Sequence, residues 1–246
     1  MKPGDRNWFV MGEMPYSTLP IRPTKIETVG DALDICVIEN FLTRKQCEVL
    51  ASVIKEEAVR STVSVSGKPE HHIDMDYRSS STCNVSGVST GRMVDSKILA
   101  YMGIHPTFSE SLEGQHYKEG QEFKSHTDTY DPGTDEFEEH AEVSGQRTWT
   151  FMVYLNEPVQ GGETHFPEVR WIRDGETRSN PMEISPVTGR AVAWNNLHPN
   201  GNVNNSAIHR GCPVIRGEKT IVTKWFRTKR FVGPEKKEED NVRGSV

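Results

Sequence analysis

His126 and Asp128 stand two residues apart in the run HYKEGQEFKSHTD, which reads as a strand. Side chains two apart on a strand leave the same face, so an imidazole and a carboxylate are offered to a common point. His209, 83 residues further on in a later strand, can supply a third ligand. Two imidazoles and one carboxylate on one side of a metal leave three adjacent positions open. That is the arrangement of non-haem Fe(II) centres at which a co-substrate and dioxygen can bind. A lone His-x-Asp is weak evidence. The chain holds a second, His72-Ile73-Asp74, in a polar stretch flanked by Gly, Pro and Ser, where a solvated loop is the better reading. His165 and His198 are further imidazoles able to compete as ligands.

The segment after His209 strengthens the case. In GEKTIVTKWFR, Lys219, Ile221, Thr223, Trp225 and Arg227 fall on one face, and Thr220, Val222, Lys224 and Phe226 on the other. If the first face lines an interior, it carries a lysine inside, and a buried ammonium without a partner is costly. A ligand carboxylate would offset that cost as an ion pair. Lys219, ten residues after His209, is thus a place to anchor an acidic co-substrate. Taken alone it is as readily an exposed lysine on an edge strand. Tyr117 and Thr164 can add hydroxyls to the same carboxylate, although a strand aromatic and a turn threonine are the plainer readings of the residues by themselves.

These groups need a scaffold that gathers them. Thr43 and Gln46 fit a capping box, and Cys47, Leu50, Ala51, Ile54 and Ala58 follow at helical spacing, which predicts an amphipathic helix over 44–60. Val94, Ile98, Leu99 and Met102 predict a shorter helix over 92–103. Beyond it, short runs rich in β-branched and aromatic residues recur at 114–128, 147–155, 163–166, 182–185, 190–195, 206–210 and 219–227, separated by turn residues. That density suggests a sandwich or barrel. The expected fold is mostly β with supporting helices, the helices coming first and an antiparallel barrel after. Residues 1–30, punctuated by Pro3, Pro15, Pro20 and Pro23, read as an irregular arm or an added strand. Residues 31–232 read as one domain and 233–246 as a charged, flexible tail.

Composition narrows the partners. The net charge of -6 and pI near 5.9 argue against a general binder of nucleic-acid backbone. No apolar run approaches a membrane span, and the N-terminal MKPGDRNWFVMGEMPYS has charges and prolines where a signal peptide needs an apolar core. The four cysteines are scattered without a CxxC pair. A reducing, cytoplasmic location with no membrane or nucleic-acid partner is the expectation.

Four stretches, HYKEGQEFKSHTD (116–128), QRTWTFMVYLNEPVQGGETHFP (146–167), PVTGRAVAW (186–194) and HRGCPVIRGEKTIVTKWF (209–226), follow one another in family order. With them the chain resembles the prolyl 4-hydroxylases of the 2-oxoglutarate- and Fe(II)-dependent dioxygenase superfamily over most of 114–227. The resemblance implies a distorted double-stranded β-helix, a jelly-roll barrel. It implies Fe(II) on His126, Asp128 and His209, and the distal carboxylate of 2-oxoglutarate on Lys219, with Tyr117 and Thr164 in the same pocket. On the substrate side it implies Trp225, Phe123, Arg147 and Arg78, the last near a mobile loop that closes over a peptide. The implied activity is that of an oxidoreductase that hydroxylates peptidyl proline, turning 2-oxoglutarate and O2 into succinate and CO2, with ascorbate as an aid. A monomer or homodimer is the expectation.

Some positions depart from the family pattern. Phe123 stands where a tyrosine is usual, Thr220 where a tryptophan often follows the lysine, and WIRDGETRSN after 170 looks like an insertion. These leave the iron and co-substrate chemistry intact and bear on the substrate. A free amino acid, another peptidyl side chain or a small metabolite are the alternatives. A non-catalytic metal-binding jelly-roll would show a broken ligand set or no lysine. Trp149 is a second aromatic, beside Trp225, that can stack on a pyrrolidine ring. The polar segments 64–90 and 131–145 are expected to be mobile covers of the site, the first ordering over a bound peptide.

Overall fold

The computed structural model describes residues 23–61, 77–178 and 181–231. Eight core strands carry the barrel: β1 (Glu113–Tyr117), β2 (Phe123–His126), β3 (Arg147–Tyr154), β4 (Thr164–Phe166), β5 (Met182–Ile184), β6 (Ala191–Asn195), β7 (His209–Gly211) and β8 (Lys219–Arg227). They divide between two antiparallel sheets, β6-β3-β8-β1 in the larger and β5-β4-β7-β2 in the smaller. The chain passes from one sheet to the other along most of its course, which makes the domain a jelly-roll barrel. Four short strands widen the larger sheet: Thr24–Ile26 and Ile35–Ile38 beyond β6, and Ser81–Asn84 and Val59–Arg60 beyond β1.

Strand alternation sorts the core into two compartments. Met152 and Tyr154 of β3, Val192 and Trp194 of β6, Ile221 of β8 and Phe166 of β4 fill the barrel. Phe151 and Val153, Ala191 and Ala193, and Val222 and Phe226 face outward, under two helices. With both faces covered, β8 is buried along its whole length.

The helices are α1 (Arg44–Glu57) and α2 (Ser89–Met102). The Thr43–Gln46 capping box is present, with Gln46 N–H on Thr43 Oγ1 at 3.3 Å and Thr43 N–H on Gln46 Oε1 at 2.9 Å. Cys47, Leu50, Ala51 and Ile54 of α1 and Val94, Ile98, Tyr101 and Met102 of α2 form the buried stripes. Gly114 of β1 lets α1 approach, since a Cβ there would lie 2.5 Å from Ile54 Cγ1.

Several expectations need correction. The helix read over 44–60 stops at Glu57, and Val59–Arg60 turns back into the sheet. The single run 114–128 is two strands, because the turn before β2 places Gly120 at φ 78. Residues 205–207 form a 3-10 turn instead of strand, so His209 opens its strand. Of the two readings of the N-terminal arm, residues 24–26 follow the added strand, paired with residues 35–37. The insertion after 170 folds as a small hairpin, Ile172–Arg173 with Glu176–Thr177. Neither expected cover is simply a loop. Residues 135–144 are helical, with a π-helical turn at Phe137–Glu142. Of 64–90, residues 81–84 are strand and α2 begins at Ser89. The rest of that segment up to residue 76, with His72-Ile73-Asp74, lies outside the described residues, as do 1–22 and 232–246. Trp149 sits on the outward face of β3, in the compartment under the helices, and so does not line the barrel.

Candidate active site

β2 and β7 are neighbours in the smaller sheet, and their register sets His126 directly opposite His209. The two rings lie 4.3 Å apart between centroids. In each, Nδ1 is held by a local carbonyl, Lys124 O at 2.8 Å for His126 and Ala207 O at 3.0 Å for His209. Each Nδ1 therefore carries the hydrogen, and each Nε2 presents its lone pair to the interior. Asp128 lies past the end of β2, in a bend, and not in the strand as its spacing suggests. It still joins the histidines, with Oδ1 at 3.7 Å from His126 Nε2. One ligand atom from each of His126, Asp128 and His209 falls within 4.8 Å of the others, and they are the cluster of metal-capable side chains found among the described residues. His165 is not part of it, its Nδ1 accepting from Arg210 Nε at 2.8 Å.

The electrostatics suit a divalent cation. Burial, then the neighbouring His209, pushes the His126 pKa down, which keeps its imidazole neutral and able to ligate. Burial opposes ionisation of Asp128. The two imidazoles, Arg147 and a hydrogen bond from Thr150 outweigh it and hold that pKa below the usual carboxylate range. Two imidazole nitrogens and one carboxylate oxygen on one side of a point are a donor set that Fe(II) fits.

Lys219 lies deeper. It is 2% exposed, donates to Gly162 O at 3.1 Å, and sits 4.4 Å from the ring centroid of Tyr117 opposite it in the β1–β8 ladder. No carboxylate of the described residues pairs with it, and burial pushes its pKa down to about 8. Thr164 is buried and shares a 2.6 Å hydrogen bond with Tyr154 OH, while Tyr117 OH donates to Gln115 Oε1 at 2.8 Å.

At the mouth, Phe123 stacks on His126 with centroids 3.6 Å apart and planes at 14°, and the Arg78 guanidinium covers Phe123 at 4.8 Å. Arg78 also donates to Glu113 at 2.9 Å. Arg147 lies over Trp225, 4.0 Å from the ring centroid, and grips both oxygens of Glu110 at 2.6 and 2.8 Å. Arg227 Nε approaches the same carboxylate at 2.6 Å without hydrogen-bond alignment. Burial would raise the Glu110 pKa, but the two guanidinium groups hold it below its ordinary value. Beside them opens a hollow of ≈ 320 Å³ lined by Thr82, Asn84, Glu110, Glu113, Trp225 and Phe231. Glu110 and Thr150 escaped the sequence reading. Glu110 precedes β1 with no motif to mark it, and Thr150 is one of several threonines on alternating strands.

Comparison with known proteins gives the family and the fold. The profile of the 2OG-Fe(II) oxygenase superfamily matches residues 112–227. The chain is 32% identical over 210 residues to Probable prolyl 4-hydroxylase 3 of Arabidopsis thaliana, covering 79% of this chain and 69% of that one. Among solved structures, a viral collagen prolyl hydroxylase from Paramecium Bursaria Chlorella virus-1, in a 2OG complex, is 23% identical with TM-score 0.50, covering 80% of this chain and 97% of that one. A prolyl hydroxylase from Trichoplax adhaerens, in complex with a hypoxia inducible factor oxygen degradation domain peptide fragment, is 16% identical with TM-score 0.54. It covers 78% of this chain and 83% of the other. The family match and the relatives define a dioxygenase that uses Fe(II), 2-oxoglutarate and O2. The chain belongs, within that superfamily, to the prolyl 4-hydroxylase family.

Proposed function

We propose that the protein hydroxylates prolyl residues in peptides, with His126, Asp128 and His209 holding one Fe(II). Bound there, the iron supplies the oxidation that couples conversion of 2-oxoglutarate and O2 into succinate and CO2 to hydroxylation of a C–H bond. The observation that carries the reading is Lys219: a buried ammonium without a carboxylate partner, in the same barrel as a three-ligand cluster. It pairs with the distal carboxylate of 2-oxoglutarate, and Thr164 and Tyr117 bound that pocket. Trp225 and Arg147 present a flat, cationic wall to the substrate ring, and Arg78 with Phe123 closes the opposite side. Ascorbate would be the accompanying reductant.

A peptide is favoured over a free amino acid because a hollow of ≈ 320 Å³ flanks Trp225, more room beside that tryptophan than one pyrrolidine ring needs. A polyproline II segment is already extended and loses little entropy on docking there. The test supplies Fe(II), 2-oxoglutarate and ascorbate with proline-containing peptides or with free L-proline, following succinate release and product mass. Peptides gaining one oxygen on proline, with free proline a poor substrate, is the expected result. Preference for the free amino acid, or oxidation of other residues only, would replace this reading.

A further inference from the structure

Asp128 poses a mechanical problem. The two histidines are fixed by the β2–β7 ladder and by carbonyls two residues away, whereas Asp128 lies beyond the end of β2 and has no ladder to hold it. Its backbone oxygen has only a long contact, 3.4 Å, from Arg147. Its side chain is held from the opposite sheet. Thr150 Oγ1, on β3, donates to Asp128 Oδ2 at 2.5 Å, and Asn196 Nδ2 donates to Thr150 Oγ1 at 2.9 Å. The direction of this chain is forced. Thr150 Oγ1 donates its one hydrogen to Asp128 Oδ2 and so is left as an acceptor for Asn196. Asn196 must then present its amide NH2, and its Oδ1 meets no donor among the described residues. Asn196 is itself pinned by its backbone, N–H to Thr148 O at 2.8 Å and oxygen to Asn204 N–H at 2.9 Å. The residue is 1% exposed and Thr150 likewise, so water does not compete for these bonds.

We infer that Thr150 and Asn196 are positioning residues that set the rotamer of Asp128, occupying Oδ2 so that Oδ1 alone faces the metal. Pairing of Thr150 with Trp194, two residues before Asn196, brings β3 and β6 into line for the relay. The larger sheet thereby controls one ligand of a centre whose other two belong to the smaller sheet. The inference rests on the ligand assignment proposed above and is independent of the prime substrate.

The experiment titrates the metal-free protein with Co(II), by calorimetry and by the visible absorption of the bound ion, without substrate. Thr150→Val keeps the shape and removes the hydroxyl, Thr150→Ser keeps the hydroxyl, and Asn196→Leu removes the second donor. Loss of an outer hydrogen bond to a ligand weakens metal affinity by about 10–100-fold. That loss is expected for Thr150→Val with a changed Co(II) spectrum, a smaller one for Asn196→Leu, and near-native binding for Thr150→Ser. His126→Ala tests the ligand assignment itself: if it binds Co(II) like the native protein, the site reading fails, not the relay alone. Native affinity and spectrum in Thr150→Val would overturn the relay. So would equal losses in the valine and serine variants, which would mark a packing defect. If Thr150→Val does not fold by circular dichroism, Asn196→Leu decides, native affinity there rejecting the inference.

Discussion

Lys219 carries opposite consequences for stability and for binding. Its folded pKa, about 8, lies below the usual lysine value because burial disfavours the ammonium. In that situation the unfolded chain binds more protons between the two pKa values, so stability contributed by this group rises with pH there. Below about pH 8 the residue destabilises the ligand-free fold by roughly 3 kcal/mol, an upper figure. Lys219→Met is expected to raise the stability of ligand-free protein at pH 7 by about 1–3 kcal/mol, measured by urea unfolding. If Lys219 pairs with 2-oxoglutarate as proposed, the same variant leaves the co-substrate carboxylate unpaired, and truncating one side of a buried charge pair costs about 2–5 kcal/mol. Its KM for 2-oxoglutarate should rise about thirtyfold or more. In the native enzyme that KM should hold steady below pH 8 and climb above it, as the free lysine loses its proton. A destabilised Lys219→Met with an unchanged KM would remove Lys219 from the pocket.

At the scale of elements, much of the site follows from strand alternation and little from distance along the chain. The face of β8 carrying Lys219, Ile221 and Trp225 is legible because period two is strict in a strand, and Ile221 does line the barrel. The capping box of α1 is legible because its partners are three residues apart. What the sequence hides is non-local. Asp128 looks like a strand residue beside His126, yet the strand ends between them and the carboxylate is held by Thr150, 22 residues on. Glu110 has no local signal because its partners, Arg147 and Arg227, come from two strands. Polar composition makes 131–145 read as a cover without regular structure, but Ala141 is buried and residues 135–144 coil into a helix with a π-helical turn. Gly114 illustrates the reverse case, a residue whose purpose only packing reveals. A methyl there meets Ile54 at 2.5 Å, so Gly114→Ala should lift α1 from β1 and cost about 1–3 kcal/mol. Urea titration of Gly114→Ala measures it, and Gly114→Ala combined with Ile54→Val should recover part of the loss. Full stability in the single variant would mean that α1 does not bear on this strand.

Among the described residues the barrel is two sheets closed over one interior, and the proposed metal would lie where both contribute. His126 and His209 come from the smaller sheet, while Asp128 is tied to the larger one through Thr150. An ion shared by these three side chains links the sheets across the barrel, so its binding is coupled to global unfolding and not only to local order. Ligand that binds the folded state alone stabilises by about 2.7 kcal/mol at a hundred times its Kd. For a domain of this size that corresponds to a Tm rise of about 5–10 °C. Mn(II) serves as the probe because it does not turn over under air in the presence of 2-oxoglutarate as Fe(II) would. Scanning calorimetry of the chelated protein against protein with excess Mn(II) should show the rise, and EDTA should reverse it. His126→Ala should fold and lose most of the rise. 2-oxoglutarate added to the Mn(II) form should raise Tm again in native protein and not in Lys219→Met, which separates the ion's contribution from that of the co-substrate. An equal Mn(II) effect in native protein and His126→Ala would place the stabilising ion elsewhere and leave the barrel closed by its hydrophobic core alone.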